Sequence, residues 1–450
     1  VDSDEECEPG VGSGSCTDRC VRPGSEFWDR QAGDHLTQKV DDAAVDSAGN
    51  VYVSGTFSGQ MQFGQCAGFL RQAIGLFVAK FDSDGKCDWL FQTTGKGAVK
   101  ATALALGSNG DVLVGGSYQN YTGAITIGTD KLGQHPSTAA TDIFLARLGS
   151  DGSYREVRSY GTNDDSDVLS DLAVDSMGRV ILVGKIGTKT TFGSGTVEST
   201  YTPSSYVVVL DSSLSFDWGK AFDGEASAVA IGPADEIVMA GRYGSSRYDR
   251  LELDGKTYDP SVDGHLYQVR FSSMGRVQQV QTFGSTSGYS DAVLDVAVDT
   301  TGAAYAAGYF GGEWQVGGAK LTSQGNRDGF LVKFAPDGSS SWVKHLTGAG
   351  TEFVRGVSVS QSGRIVAAGD FDERLENEGI SLSSQGQTDG FVFGYATDGT
   401  LAWHRRIGGR DPYQLYGVTT KATGVAFGTA PDRFNAGEVT EDAFLMTFAP

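Results

Sequence analysis

Long apolar runs are missing from this sequence. No stretch approaches the roughly 18 apolar residues that a helix needs to cross a bilayer, so no membrane span is expected. Ala- and Leu-rich helical windows are missing as well. A basic excess is absent: 35 Lys and Arg stand against 56 Asp and Glu, for a net charge of −21. A nucleic-acid binder replaces counterions on phosphates with a basic face. The short run Arg405, Arg406 and Arg410 is too small to provide one, so nucleic acid is excluded as a partner. The acidic surface favours solubility, disfavours anionic lipid and attracts divalent cations.

Histidine is scarce, and its placement excludes a helical zinc pair. His35, His135, His265, His345 and His404 include no two that are three or four residues apart. His345 and His404 follow Trp342 and Trp403, and are expected to be packing residues at one equivalent repeat position. No Gly-x-Ser-x-Gly elbow, Walker loop or dinucleotide fingerprint stands between a strand and a helix. Gly12-Ser13-Gly14 and Gly193-Ser194-Gly195 are loop material. Carboxylates are plentiful but fall at turns, so no glycosidase pair stands out. Proline is also rare, at 10, whereas Gly numbers 64 and aromatics reach 10 %. This is the composition of a turn-rich all-β chain.

What is present is a repeat. An apolar strand ending in Gly recurs seven times, at Gly55, Gly116, Gly184, Gly241, Gly308, Gly369 and Gly428, with spacings of 61, 68, 57, 67, 61 and 59 residues. A period of this size marks a repeat architecture. A small-apolar strand and a Gly turn precede the anchor, as in Asp42-Ala43-Ala44-Val45-Asp46-Ser47-Ala48-Gly49, which is a hairpin signal. A third strand follows about 20 residues later, as in Phe330-Leu331-Val332-Lys333-Phe334, and its pattern fits a strand covered on both faces. A fourth strand carries Trp89, Trp218, Trp342 or Trp403. Four strands per unit make a propeller blade.

The expected fold is therefore an all-β, seven-bladed β-propeller with four-stranded blades over 26–450. The last unit stops after its third strand, and Glu26-Phe27-Trp28-Asp29-Arg30-Gln31-Ala32 reads as a fourth strand without a blade. Pairing the two closes the ring and hides two edges. Residues 1–25 lack strand pattern and are expected to form a disulfide-containing irregular arm. Val1 opens the chain without Met or a signal peptide, and reads as the start of a mature or trimmed product.

The frame Asp-x-Ala-Val-Asp-x-x-Gly, at Asp42 to Gly49, Asp171 to Gly178 and Asp295 to Gly302, resembles the SBBP-type β-propeller repeat of bacterial exported proteins. Asp328-Gly329-Phe330-Leu331-Val332-Lys333-Phe334, its Pro-Asp-Gly turn and Trp342 belong to the same pattern. Units four and seven depart from it most. The resemblance implies a propeller and a secreted or outer-surface location; it implies no ligand or activity.

Five cysteines, Cys7, Cys16, Cys20, Cys66 and Cys87, suggest an oxidising compartment. Cys66 and Cys87 are expected to bond each other, or one of them holds the arm to the ring. The odd count leaves one thiol over. Aspartates before the third strand, such as Asp142, Asp328, Asp389 and Asp442, read as caps of turn N–H groups. Asp82-Ser83-Asp84-Gly85 opens like a calcium loop, but Lys86 and Phe91 stand where oxygen ligands belong. Calcium is the one cofactor entertained, at Asp164, Asp165 and Asp167, against a solvated loop. Off-frame aromatics are the binding candidates: Trp314, Tyr118, Tyr121, Tyr243 and Tyr248, with local packing as the plainer role. The functional expectation is a non-catalytic extracellular module engaging a glycan or protein. A self-assembling surface protein using residues 1–25 is the alternative, and a propeller hydrolase or lyase the third reading.

Overall fold

The protein is described by a computed structural model over residues 24–33, 36–119, 123–133, 140–162, 166–199, 204–244, 250–259, 264–286, 291–410, 412–421, 423–431 and 441–449. All regular structure among the described residues is β, in 39 strands and no helix. Six sheets have four strands and one has six; smaller hairpins fill the connections between second and third strands. Within the main sheets the strands lie antiparallel and, in all but the last, in chain order. The first sheet, for example, runs Gln38–Val45, Val51–Phe63, Cys66–Phe81, Cys87–Gln92. The first strands of successive sheets are Gln38–Val45, Ala98–Leu106, Val168–Val174, Glu225–Ile231, Ala292–Val298, Glu352–Val359 and Gln414–Thr420. Each packs against the first strand of the next sheet, and Gln414–Thr420 packs against Gln38–Val45. In the last sheet, Glu26–Ala32 from the start of the chain pairs with Glu441–Phe448. This is a propeller-like, all-β architecture.

The anchor glycines have a steric cause. Every first strand carries a bulge, which inserts Asp41, Thr102, Ser170, Ser227, Leu294, Arg355 or Tyr416 opposite the second strand. The bulge drives the carbonyl two residues earlier against the anchor. A Cβ at Gly55 would lie 2.1 Å from the Lys39 oxygen, and one at Gly369 would lie 1.8 Å from the Phe353 oxygen. The other five anchors meet the corresponding oxygen in the same way. A bulge also re-aims the inserted side chain, which is how Arg355 comes to leave the core.

Two devices tie each sheet to the next. Asp42, Asp171 and Asp295 follow the bulges of sheets one, three and five. Each accepts an N–H from the first strand of the neighbouring sheet: Leu104 at 2.6 Å, Val229 at 2.8 Å and Val357 at 2.8 Å. The receiving sheets carry Ala103, Ala228 and Gly356 at the same position, so the clamp alternates around the array. The fourth-strand tryptophans form the second device. Trp89 Nε1 donates to Ser150 O at 3.0 Å and Trp218 Nε1 to Ser273 O at 3.3 Å, both in the next sheet's last turn. The turn glycines Gly152 and Gly275 have φ of 79° and 77° and no Cβ, so the indoles lie directly on them. Trp28 makes the same contact from the last sheet to the first, donating to Ser83 O at 3.1 Å beside Gly85.

Cys66 and Cys87 are disulfide-bonded, 6.0 Å apart at Cα, which ties the long hairpin of the first sheet to its fourth strand.

Candidate functional site

The aromatic candidates lie inside the protein. Trp314 is 2 % exposed, stacked on Phe310 at 5.1 Å and Phe330 at 4.8 Å, with Phe283 edge-on at 5.9 Å. It belongs to the hairpin Glu313–Val316 with Ala319–Thr322, whose inward face packs on the sheet. Tyr118 and Tyr243 are buried as well: Tyr118 donates to Asp142 Oδ2 at 3.4 Å, and Tyr243 packs on Tyr267. None of the three presents a ring to solvent, so local packing replaces the stacking role expected of them. Tyr121 and Tyr248 lie outside the described residues, as do Asp164, Asp165, Cys7, Cys16, Cys20 and residues 1–23 of the arm. Asp167 is buried and accepts Thr190 Oγ1–H at 2.5 Å and the Thr162 N–H at 3.2 Å. Burial pushes its carboxyl up to about 6 against those bonds. Among the described residues, no three His, Cys, Asp or Glu side chains converge to hold a metal ion.

His345 and His404 are not equivalent. His345 faces Phe330 in its sheet, whereas the matching partner of Phe391 is Arg406. His345 Nε2 meets Asp328 Oδ2 at 2.6 Å, and Arg406 donates to Asp389. Asp328 also accepts the Gln324 and Gly325 N–H groups, and Asp389 accepts that of Gln385, so these repeated aspartates do cap turns.

A cleft of about 430 Å³ opens where sheets five, six and seven meet, at the end where first strands begin and second strands finish. Asn326 and Arg327 reach it from sheet five, and Gln414 from sheet seven. Sheet six contributes Thr351, Phe353, Arg355, Asp370, Asp372 and Thr388. Alternation along the first strand and the bulge together place Phe353 and Arg355 on one side. Asp370 directly follows anchor Gly369 and lies opposite Phe353. Arg355 grips Asp370 as a fork, Nε to Oδ1 and Nη2 to Oδ2 at 3.3 Å. Burial raises the Asp370 carboxyl, and the Arg355 guanidinium opposes that rise. Asp372 is half-buried and accepts the Thr351 N–H. Phe353 lies 4.7 Å from the Arg355 guanidinium and 5.9 Å from that of Arg327, which also covers Tyr309 at 4.9 Å.

Glu352 points to the other face of the same strand end. It is fully buried, and both its carboxyl oxygens lack hydrogen-bond partners. Burial, then the charges of Asp328, Asp372 and Glu373, push it up to about 9, so it is a neutral acid at pH 7. The cleft thus sets carboxylates against guanidinium groups, with a protonated acid behind it.

Sequence reading singled out none of the cleft residues. A signal was nonetheless available in the departures from the repeat. At the bulge, unit six alone has Arg, and after the anchor glycine unit six alone has Asp. Only in space do these two become a pair.

No family model matches the chain. Regulatory protein FlaEY of Caulobacter vibrioides is 26 % identical over 376 residues, covering 81 % of this chain and 32 % of that protein. The chain thus spans about a third of that relative's length. Among solved structures, a gluconolactonase from Xanthomonas campestris is similar at 11 % identity and a TM-score of 0.34, over 77 % of this chain and 95 % of its own. Regucalcin of Agrobacterium tumefaciens, a calcium-binding protein, is similar at 10 % identity and a TM-score of 0.34, over 95 % of each chain. At such identities the likeness is one of fold. These neighbours are propellers of gluconolactonase and regucalcin type, which runs against the expectation of a non-catalytic binding module and of a chain that is no enzyme.

Proposed function

We propose that the chain is a closed seven-bladed propeller hydrolase whose chemistry lies in the cleft between sheets five, six and seven. The blade count and closure are supported by the circuit of first-strand contacts and by the pairing of Glu26–Ala32 with Glu441–Phe448. The SBBP-type repeat reading rests on the quoted frames alone. A location at or beyond the outer cell surface is supported by the Cys66–Cys87 disulfide.

The observation that carries the hydrolase reading is the lining of the cleft, where a half-buried carboxylate opens beside a guanidinium held rigid by a second carboxylate. Asp372 takes a proton from water, whose oxygen attacks the carbonyl carbon of an ester, open or cyclic. The electron pair moves to the carbonyl oxygen, and the Arg355 guanidinium stabilises the charge that develops there. Collapse of the adduct expels the alcohol oxygen, which takes the proton from Asp372. Asp370 holds Arg355 in orientation. The test is hydrolysis of a panel of open and cyclic esters by the wild-type chain and by Asp372→Asn. The wild type should turn over at least one class, and Asp372→Asn should lower its kcat by about 100-fold or more. An inert wild type, or a D372N variant as fast as wild type, would overturn the reading.

A further inference from the structure

We infer that Arg327 forms an anion subsite in the cleft and that the substrate is a small hydroxylated ester that carries one free carboxylate besides the scissile carbonyl. The inference rests on the hydrolase reading for the place of the chemistry and adds the class of substrate. Arg327 is fixed at the backbone on the Thr351 side: the two residues form a bridge, and the Glu352 N–H donates to Arg327 O at 2.9 Å. Its guanidinium lies over Tyr309 at 4.9 Å and Phe353 at 5.9 Å, and these two rings meet edge-on at 4.7 Å. These contacts hold the guanidinium against the rings but use none of its five N–H donors.

Those donors have no protein acceptor among the described residues. Arg355 is already ion-paired with Asp370, Arg406 with Asp389, and Arg405 with Glu26. In a chain with 56 acidic residues, an arginine without an ion pair, held against two rings at a cleft, is open to a carboxylate from solution. The charge of the cleft sets the class. Asp370 offsets Arg355, and Asp372 adds one negative charge to the lining beside the positive charge of Arg327, so a monoanion is favoured over a dianionic phosphate. Asn326, Thr388 and Gln414 line the remainder with amides and a hydroxyl, which suit hydroxyl groups. The volume of about 430 Å³ suits a small molecule.

The test measures thermal stabilisation of the full chain by glycerate, by glycerol and by inorganic phosphate, in wild type, Arg327→Gln and Arg327→Lys. Saturable stabilisation by glycerate is expected, with none from glycerol and little from phosphate. Arg327→Gln should weaken the glycerate effect by at least about tenfold, and Arg327→Lys should restore part of it, because the charge returns without the planar fork. The unliganded melting temperatures show whether each variant is folded. Glycerate binding that ignores Arg327→Gln, equal binding of glycerol, or a preference for phosphate would each overturn the inference. If glycerate binding ignores Arg327→Gln while ester hydrolysis still falls with Asp372→Asn, only the subsite fails. If Arg327-dependent binding occurs in a chain that hydrolyses no ester, only the hydrolase reading fails.

Discussion

Glu352 shows most plainly how one residue can set a pH response. Its folded-state carboxyl titrates at about 9, far above the ordinary 4.5, because burial leaves both oxygens without partners. Folding therefore takes up a proton between those two values. The stability tied to this group is complete below about 4.5 and is lost as the pH rises through about 9. Glutamine has nearly the same shape and stays neutral throughout. Glu352→Gln should melt close to wild type near pH 5 and clearly above it near pH 8, in thermal scans across that range. A constant gap between the two chains would mean that Glu352 is solvated or paired. Asp42 and Asp295, pushed up to about 7 by burial, should leave part of the downward slope in both chains. None of this is legible in the sequence, where Glu352 is one acidic residue at the start of a strand. The same limit applies to Arg355 and Asp370, whose pairing needs the sheet register.

At the scale of elements, the sequence carried the scaffold well because the scaffold is a repeated steric problem. Each bulge pushes a carbonyl onto the second strand, so each unit needs a glycine there, and the glycines mark the period. Gly184→Ala tests this reading. Its Cβ would lie 2.1 Å from the Val168 oxygen, and both are backbone-fixed. The substitution should cost roughly 3 kcal/mol, at the upper end of ordinary overpacking, measured by urea unfolding. A cost under about 1 kcal/mol would show that the bulge shifts easily. Trp314 was misread at this same scale. Glu313-Trp314-Gln315-Val316 alternates polar and apolar, and the structure buries the apolar pair while leaving the polar pair exposed. The period was that of a strand with a covered face. A lone aromatic between framework strands drew attention as a ligand contact, while its neighbour Val316 already indicated packing.

For the whole molecule, the question is whether the ends of the chain behave as an interior joint. Trp28 lies in the strand that completes the last sheet and covers Gly85 of the first, as Trp218 covers Gly275 between sheets three and four. In an open array, the terminal strand would fray and Trp28→Ala would cost little, because local opening near a chain end needs only a fraction of the global free energy. In a closed ring, both joints are interior and the array unfolds as one cooperative unit. Trp28→Ala and Trp218→Ala should then each cost about 3 kcal/mol, the low end for truncating a large aromatic, because Trp218 is only partly buried. Both should keep a single unfolding transition. Denaturant unfolding followed by tryptophan fluorescence and far-ultraviolet dichroism reads both quantities. A silent Trp28→Ala beside a costly Trp218→Ala would open the ring at its ends. Closure also bears on the cleft, since Gln414 begins the strand that packs against both Glu352–Val359 and Gln38–Val45. A ring that opens at this joint would loosen one wall of the cleft, so Trp28→Ala should weaken glycerate binding if Arg327 and Gln414 share a ligand, whereas Trp218→Ala should leave it unchanged.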